Sequence, residues 1–437
     1  MSIRTLGTAL LVSSLCAMAQ AGVIVVDASN GPGTDFTTLK AALAAAADGD
    51  LLLVRTGTYD GSHLMLNKAV SIVADSGAGV AITNTDLTSL STAALVVTGT
   101  INGSMLIQGC TFQSVFLTPT TATGGALRIA TNSASGHVFV DDCAAIAAVG
   151  NGIDVAGGSR TTLTRCFGTG GNTHVSGPVA NSAGVGLFAS PSIDGSFLST
   201  FASDFTGGNG LDQPAALTPT LLAGGSAIRA STLGSVRRFL VSGTSAQGGV
   251  GGDTVFGPPN CTTPGTGGHG LEINAGFGPY LVDSTLAGGA AGTDQSTCGL
   301  TGTPGQPVAV TFLGLPPAPL VAQPGRISVA SPVREGVAVT VSLQGPVNHA
   351  AFAVIGFAQT HVFEASLSSS LVATPNAIVA LGSLPPSGVV TLSTHAPAMP
   401  VGVDAGIVYL QPITQDMSTG QATLGAPAAL VILDESL

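Results

Sequence analysis

The stretch VIVVDASNGPGTDFTTLKAALAAAADGDLLLVRTGTYDGSHLMLNKAVSIVADSGAGVAI, Val23 to Ile82, decides the fold. It reads as a strand, one helix, and then short strands only. Val23–Val26 is a β-branched run. Thr37 is placed to cap a helix in which Leu39, Ala42, Leu43 and Ala46 recur at i, i+3, i+4 and i+7. Asp48-Gly49-Asp50 ends it, because glycine tolerates the left-handed conformation of a helix exit. Leu51–Val54, Leu64–Leu66, Val70–Val73 and Val80–Ile82 follow as short apolar strands separated by turn residues.

Downstream the chain repeats itself imperfectly. Cys143, Cys166, Ser203, Thr244 and Ser284 each end a short strand, and each is followed four residues later by two small residues: Ala147-Ala148, Gly170-Gly171, Gly207-Gly208, Gly248-Gly249 and Gly288-Gly289. Cys110 ends a weaker, earlier copy. A second strand opens each unit with alternating apolar positions: Leu127/Ile129, Ile153/Val155, Val185/Leu187, Ile228/Ala230 and Leu271/Ile273. Alternation sends those side chains inward and leaves an outward row of Arg128, Asp154, Gly186, Arg229 and Glu272. Asp142, Arg165, Ala202, Gly243 and Asp283 form a second outward row. Two registers that agree over successive units predict stacked coils.

The opening helix followed only by short strands resembles the N-terminal cap and first coils of right-handed parallel β-helix proteins, the pectate-lyase-like superfamily. The residues that carry the resemblance are Asp35-Phe36-x-Thr38, Ala41-Ala42, Gly49-Asp50, Val54 and Gly57-Thr58-Tyr59. It implies an all-β chain with an N-terminal cap helix and a right-handed parallel β-helix over 22–314, ending near Val308–Leu313. A proline-rich linker, LPPAPLVAQPG, follows at 315–325. Over 326–437 the pattern changes to ordinary alternating strands with turn signals, which predicts a small C-terminal β-sandwich.

Composition bounds the function. Hydrophobic residues make up 45% of the chain against 8% charged, which excludes the signature of disorder. Twelve basic against 23 acidic residues, with Lys40 and Lys68 the only lysines, leave no cationic cluster for nucleic acid. Arg4, the apolar run Leu6–Met18 and Ala19-Gln20-Ala21 read as a signal peptide over 1–21, so export is expected. No later stretch is long and apolar enough to span a bilayer.

The superfamily contains polysaccharide lyases, polygalacturonases and methylesterases. Gly268-His269-Gly270 is similar to an element of polygalacturonases, and Asp141-Asp142 to their paired aspartates. Several coils separate the two, and no lysine follows Lys68 to complete the site. Arg229, His269 and Glu272 on neighbouring coils are the candidate catalytic group: a cation, and two groups able to move protons. Arg128 and Asp154 are candidate binding residues on the same row. The simpler reading is a ladder of opposite charges, since Asp142 and Arg165 alternate in the same way. The expectation is therefore a non-catalytic extracellular or cell-surface protein that contacts polysaccharide, with a polysaccharide lyase or glycoside hydrolase as the alternative. No cofactor is expected. Calcium would need converging oxygens, and nothing in the sequence forces Asp253, Asp283 and Asp294 together.

The linkers after the paired glycines lengthen along the chain and should form a wall at one corner. Cys110, Cys143 and Cys166 belong to an inward ladder of small residues. Cys261 and Cys298 lie in successive long linkers, and a disulfide between them is predicted.

Overall fold

The computed structural model describes residues 22–86, 93–114, 125–132, 135–176, 179–181, 183–191, 195–212, 223–231, 239–254, 258 and 261–437. The expected signal peptide at 1–21, with Cys16, lies outside them. The chain is a parallel β-helix followed by a small, mainly antiparallel C-terminal module. Each coil runs through three parallel sheets. A first sheet of ten strands extends from Val23–Val26 to Ala318–Leu320. A second, of eight, extends from Gly57–Asp60 to Thr285–Ala287, and a third, also of eight, from Met65–Leu66 to Val308–Leu315.

The cap helix α1 spans Leu39–Ala45. Its N-cap is Thr38, whose hydroxyl accepts from the Ala41 N–H, one residue later than the periodicity suggested. Leu39, Ala42, Leu43 and Ala46 are buried against Leu52 and Val54. Lys68 donates from Nζ to the carbonyls of Leu43, Ala44 and Ala46, placing a cation on the unpaired acceptors of the helix end.

A single left-handed residue turns the chain from the first sheet to the second. Gly109, Asp142, Arg165, Ala202, Gly243 and Asp283 occupy this corner, with φ between 42° and 72°. The small residue after each corner faces inward. Strand register stacks Cys110, Cys143, Cys166, Ser203, Thr244 and Ser284 in one column, buried as far as Thr244 and half-buried at Ser284. The three thiols are buried and free, and burial pushes those of Cys110 and Cys166 up to about 12.

The helix runs further than the prolines suggested. Ala318–Leu320 pairs with Tyr280–Val282 as the last strand of the first sheet, so part of the stretch read as linker belongs to the terminal coil. Pro319 fits there because an edge strand offers its missing N–H to no neighbour.

The C-terminal module packs a three-stranded sheet (Arg326–Val329, Ala338–Gln344, Val389–His395) against a six-stranded one built around Ala405–Asp416. Ile327, Val339, Val408, Leu410, Leu430 and Ile432 fill the space between them. The module covers the outer face of the first sheet. Leu53, Val73, Leu106, Phe139, Phe201 and Leu240 on the helix pack with Val354, Val372, Tyr409, Ala429 and Val431 of the module. Runs such as Leu51–Val54 and Val138–Val140 are apolar at both parities, the pattern of strands buried on both faces.

Candidate functional site

With the first sheet covered, the long linkers flank the third sheet. They leave the second sheet at 170, 207, 248 and 288 and return at 186, 227, 270 and 307. Their described residues do not form open loops. On the outgoing arms Gly248, Gly251 and Thr254 donate to Ala287, Ala290 and Thr293 of the next coil. On the returning arms Gly267 and Gly270 donate to Thr303 and Gln306. The step of three is that of an extended polyproline-II-type chain, which has three residues per turn and no internal hydrogen bonds.

The other two N–H directions find partners as well, one along the whole series and the other at four positions. One crosses between the arms through Gly150, Gly171, Gly184, Gly208, Gly225, Gly249, Gly268, Gly289 and Gly305. Each N–H in that series bonds the carbonyl of the glycine before it, at 2.7 to 2.9 Å. The third points outward and is taken by side chains of the preceding coil. Asn172 Oδ1 accepts from Asn209 N–H, Asn209 Oδ1 from Val250 N–H, Asp212 Oδ1 from Asp253 N–H and Asp253 Oδ1 from Thr293 N–H. Close approach of the arms dictates the glycines, while Asn172, Asn209, Asp212 and Asp253 serve exposed outward donors from one coil to the next. Cys261 and Cys298 are joined by a disulfide across neighbouring linkers, with Cα atoms 5.8 Å apart.

The outward row of the third sheet lies beside these linkers. Register aligns Val96, Arg128, Asp154, Phe188, Arg229, Glu272 and Ala309. Phe188 therefore stands where the alternation placed Gly186. A slip of two residues keeps inward and outward parity, so Val185, Leu187 and Ala189 all read as core and the hydrophobic pattern cannot detect the shift. All three are buried.

Arg229 Nε donates to Glu272 Oε2 at 2.9 Å, and Ser226 Oγ donates to the same oxygen at 2.5 Å. His269 lies three residues before Glu272, and its Nδ1 accepts from the Gln306 N–H at 3.0 Å, which leaves Nε2 to carry the ring proton. Arg128 Nε and Asp154 Oδ2 are 3.6 Å apart. That pair is not a surface pair as the charge alternation implied, because Asp154 is buried; burial pushes its carboxyl up and Arg128 draws it back.

Other sequence candidates fall elsewhere. Arg165 pairs with Asp141, not Asp142: Arg165 Nη2 lies 2.5 Å from Asp141 Oδ1. Asp141 points outward from the first sheet, beneath the module, where Gln108 Nε2 and the Ala429 N–H donate to its Oδ2. The left-handed corner turns Asp142 away to solvent. The aspartates considered for calcium do not converge. Asp283 is a corner residue, Asp253 accepts from Thr293 and Gln295, and Asp294 accepts from Ser296 and Leu300. Among the described residues no group of three or more acidic, histidine or cysteine side chains is arranged to hold a metal ion, and no helix is long and apolar enough to cross a membrane.

No protein-family model matches this chain, and no curated protein matches it. Among solved structures a similar chain is titled 1,3-alpha-1,4-beta-D-galactose-4-sulfate-3,6-anhydro-D-galactose-2-sulfate 4 galactohydrolase, at 14% identity and a TM-score of 0.18. The match covers 62% of each chain, less than two thirds of that protein, and is too distant to carry residue roles across.

Proposed function

We propose that the third-sheet face, bordered by the glycine linkers, holds an extended polysaccharide without cleaving it, in a protein exported from the cell. The observation that carries this reading is the half-buried Phe188 ring, set in the outward row between the Arg128–Asp154 and Arg229–Glu272 pairs. A ring face offers an apolar surface to sugar C–H groups, and the flanking charged groups offer hydrogen bonds to hydroxyls. The linkers supply a rigid edge along which a linear chain can lie.

Spacing supports the non-catalytic side. Glycoside hydrolysis uses two carboxyl groups about 5 to 9.5 Å apart. Asp154 and Glu272 are separated by three strand spacings, about 14 Å. Glu272 is also held through Oε2 by Arg229 Nε and Ser226 Oγ, which fixes the pair in place beside the ring. The apolar leader and the linker disulfide support export.

The test is a screen of plant, algal and bacterial polysaccharides that scores both binding and the release of reducing ends or unsaturated products. The expected outcome is binding without product, weakened about two- to tenfold by Phe188→Ala, as loss of a ring contact worth about 0.5–1.5 kcal/mol requires. Product release that Glu272→Gln abolishes with the fold intact would establish the lyase or hydrolase reading instead. Binding untouched by Phe188→Ala would move the ligand off this face.

A further inference from the structure

The two ends of the solenoid differ. At the N-terminal end α1 closes the core, and the innermost side chains beneath it, Leu52, Val54, Tyr59 and Leu66, are at most 3% exposed. At the C-terminal end the ladders stop without a lid among the described residues. Val310 continues the column of Ile273, yet is 43% exposed where Ile273 is 0%. Val308, Leu281 and Leu286, which continue fully packed columns, are only partly buried. The last strands of the three sheets, Val308–Leu315, Thr285–Ala287 and Ala318–Leu320, each have a neighbour on one side only. A stacked fold needs its terminal units covered.

What covers this end is constrained by charge, geometry and symmetry. No residue from 295 to 325 is charged, so the last strands of the first and third sheets bring no charge of their own against a second copy; the acids of this coil, Asp283 and Asp294, lie at its corner and in its linker. The open strand edges demand a partner whose strands have the spacing and three-sheet outline of another coil. A head-to-tail stack is closed off by α1 at the opposite end, so open-ended growth is excluded and only like ends can meet.

We propose that the C-terminal end of the β-helix is a homodimer interface. The terminal coil of a second copy packs end to end against Val308, Val310, Leu281 and Leu286 across a two-fold axis. Val308–Leu315, the longest of the terminal strands, runs antiparallel to its own copy there. The contact uses neither the third-sheet face nor Phe188.

Sedimentation equilibrium on the full chain from about 1 to 100 µM reads the mass without dependence on shape. The expected result is a dimer at the upper end of that range, and for Val310→Asp a monomer of half the mass with an unchanged far-UV spectrum and an intact Cys261–Cys298 link. If Val310→Asp does not fold, Pro319→Asp, at an exposed position on the same end, should likewise give the monomer. A wild-type monomer throughout overturns the proposal. So does a dimer that survives either folded variant, or one dispersed only by Leu392→Asp on the free edge of the C-terminal module.

Discussion

A methyl group at position 249 has no space to occupy. A Cβ built on Gly249 would lie 1.9 Å from the Gly208 carbonyl oxygen and 2.6 Å from its carbon, and both are backbone atoms with no rotamer to change. The requirement is close approach, not a left-handed backbone. Gly268 and Gly289 meet the same limit, against Gly225 and Gly249. Gly249→Ala is therefore expected to cost about 3 kcal/mol or more, because neighbouring backbones must separate. Val250→Ala, one residue along and 43% exposed, should stay within about 0.5 kcal/mol of wild type. Urea denaturation of the two variants side by side checks this, and equal midpoints would mean that the linkers pack more loosely than the hydrogen bonds imply. Ladder residues such as Cys143 were legible because they recur at one place in every unit. The role of Gly249 was not, because a glycine needed for close approach looks in sequence like a glycine needed for a turn.

The linkers as elements show where reading a sequence stops. Their position, their growth as far as the linker before Leu271 and the Cys261–Cys298 pairing followed from the repeat. Their conformation did not, since partners for a period of three come from the opposite arm and the next coil, outside any local window. The same limit moved Phe188: the hydrophobic alternation fixed parity but not a two-residue slip, and that slip puts a ring in the candidate face. Prolines at 316, 317 and 319 suggested a linker, although the first two only join Val308–Leu315 to Ala318–Leu320 and that edge strand accepts the third. For the disulfide the packed linkers imply a specific outcome. A cross-link over 37 residues stabilises by about 2–4 kcal/mol when it restrains an otherwise open chain. Here the backbone array already restrains both arms in the native state. Replacing both cysteines by serine should therefore lower the melting temperature by several degrees, through the unfolded chain, without loosening the fold. Hydrogen exchange should show the amides of Gly249, Gly268 and Gly289 still protected in the double variant. Full exchange of those amides would show that the disulfide, not the hydrogen bonds, holds the linkers.

For the whole molecule the decisive contact is the C-terminal module on the first sheet, where polar groups are buried among the apolar ones. Gln359 Nε2 donates to the Met105 carbonyl and the Tyr409 hydroxyl, and Ser199 Oγ donates to Ser370 Oγ. The His361 Nε2 and the Thr162 hydroxyl are hydrogen-bonded, and the His137 ring packs edge-on at 5.9 Å. Burial draws the His361 ring down to about 3 and the His137 ring to about 4, with the Arg160 charge lowering both. Folded values below the ordinary 6.5 mean that the unfolded chain binds more protons in the acid range. The stability these rings leave intact is complete above pH 6.5 and falls as pH drops through 6.5 toward 4. Asp141 acts in the opposite sense, because burial pushes its carboxyl up against the pull of Arg165. Between pH 6.5 and 4 the histidines set the sign, with a loss on the order of a few kcal/mol. The docked faces are apolar and would be exposed if the module lifted, so the loss has an optical signature as well as a thermal one. Melting temperature should fall steadily from pH 6.5 to 4, with a rise in binding of a hydrophobic dye near the low end. In His361→Gln, which keeps a polar partner for Thr162 but takes up no proton, the slope should be shallower. A melting temperature that stays level across the window, or a slope unchanged in His361→Gln, would place the acid sensitivity of the molecule elsewhere.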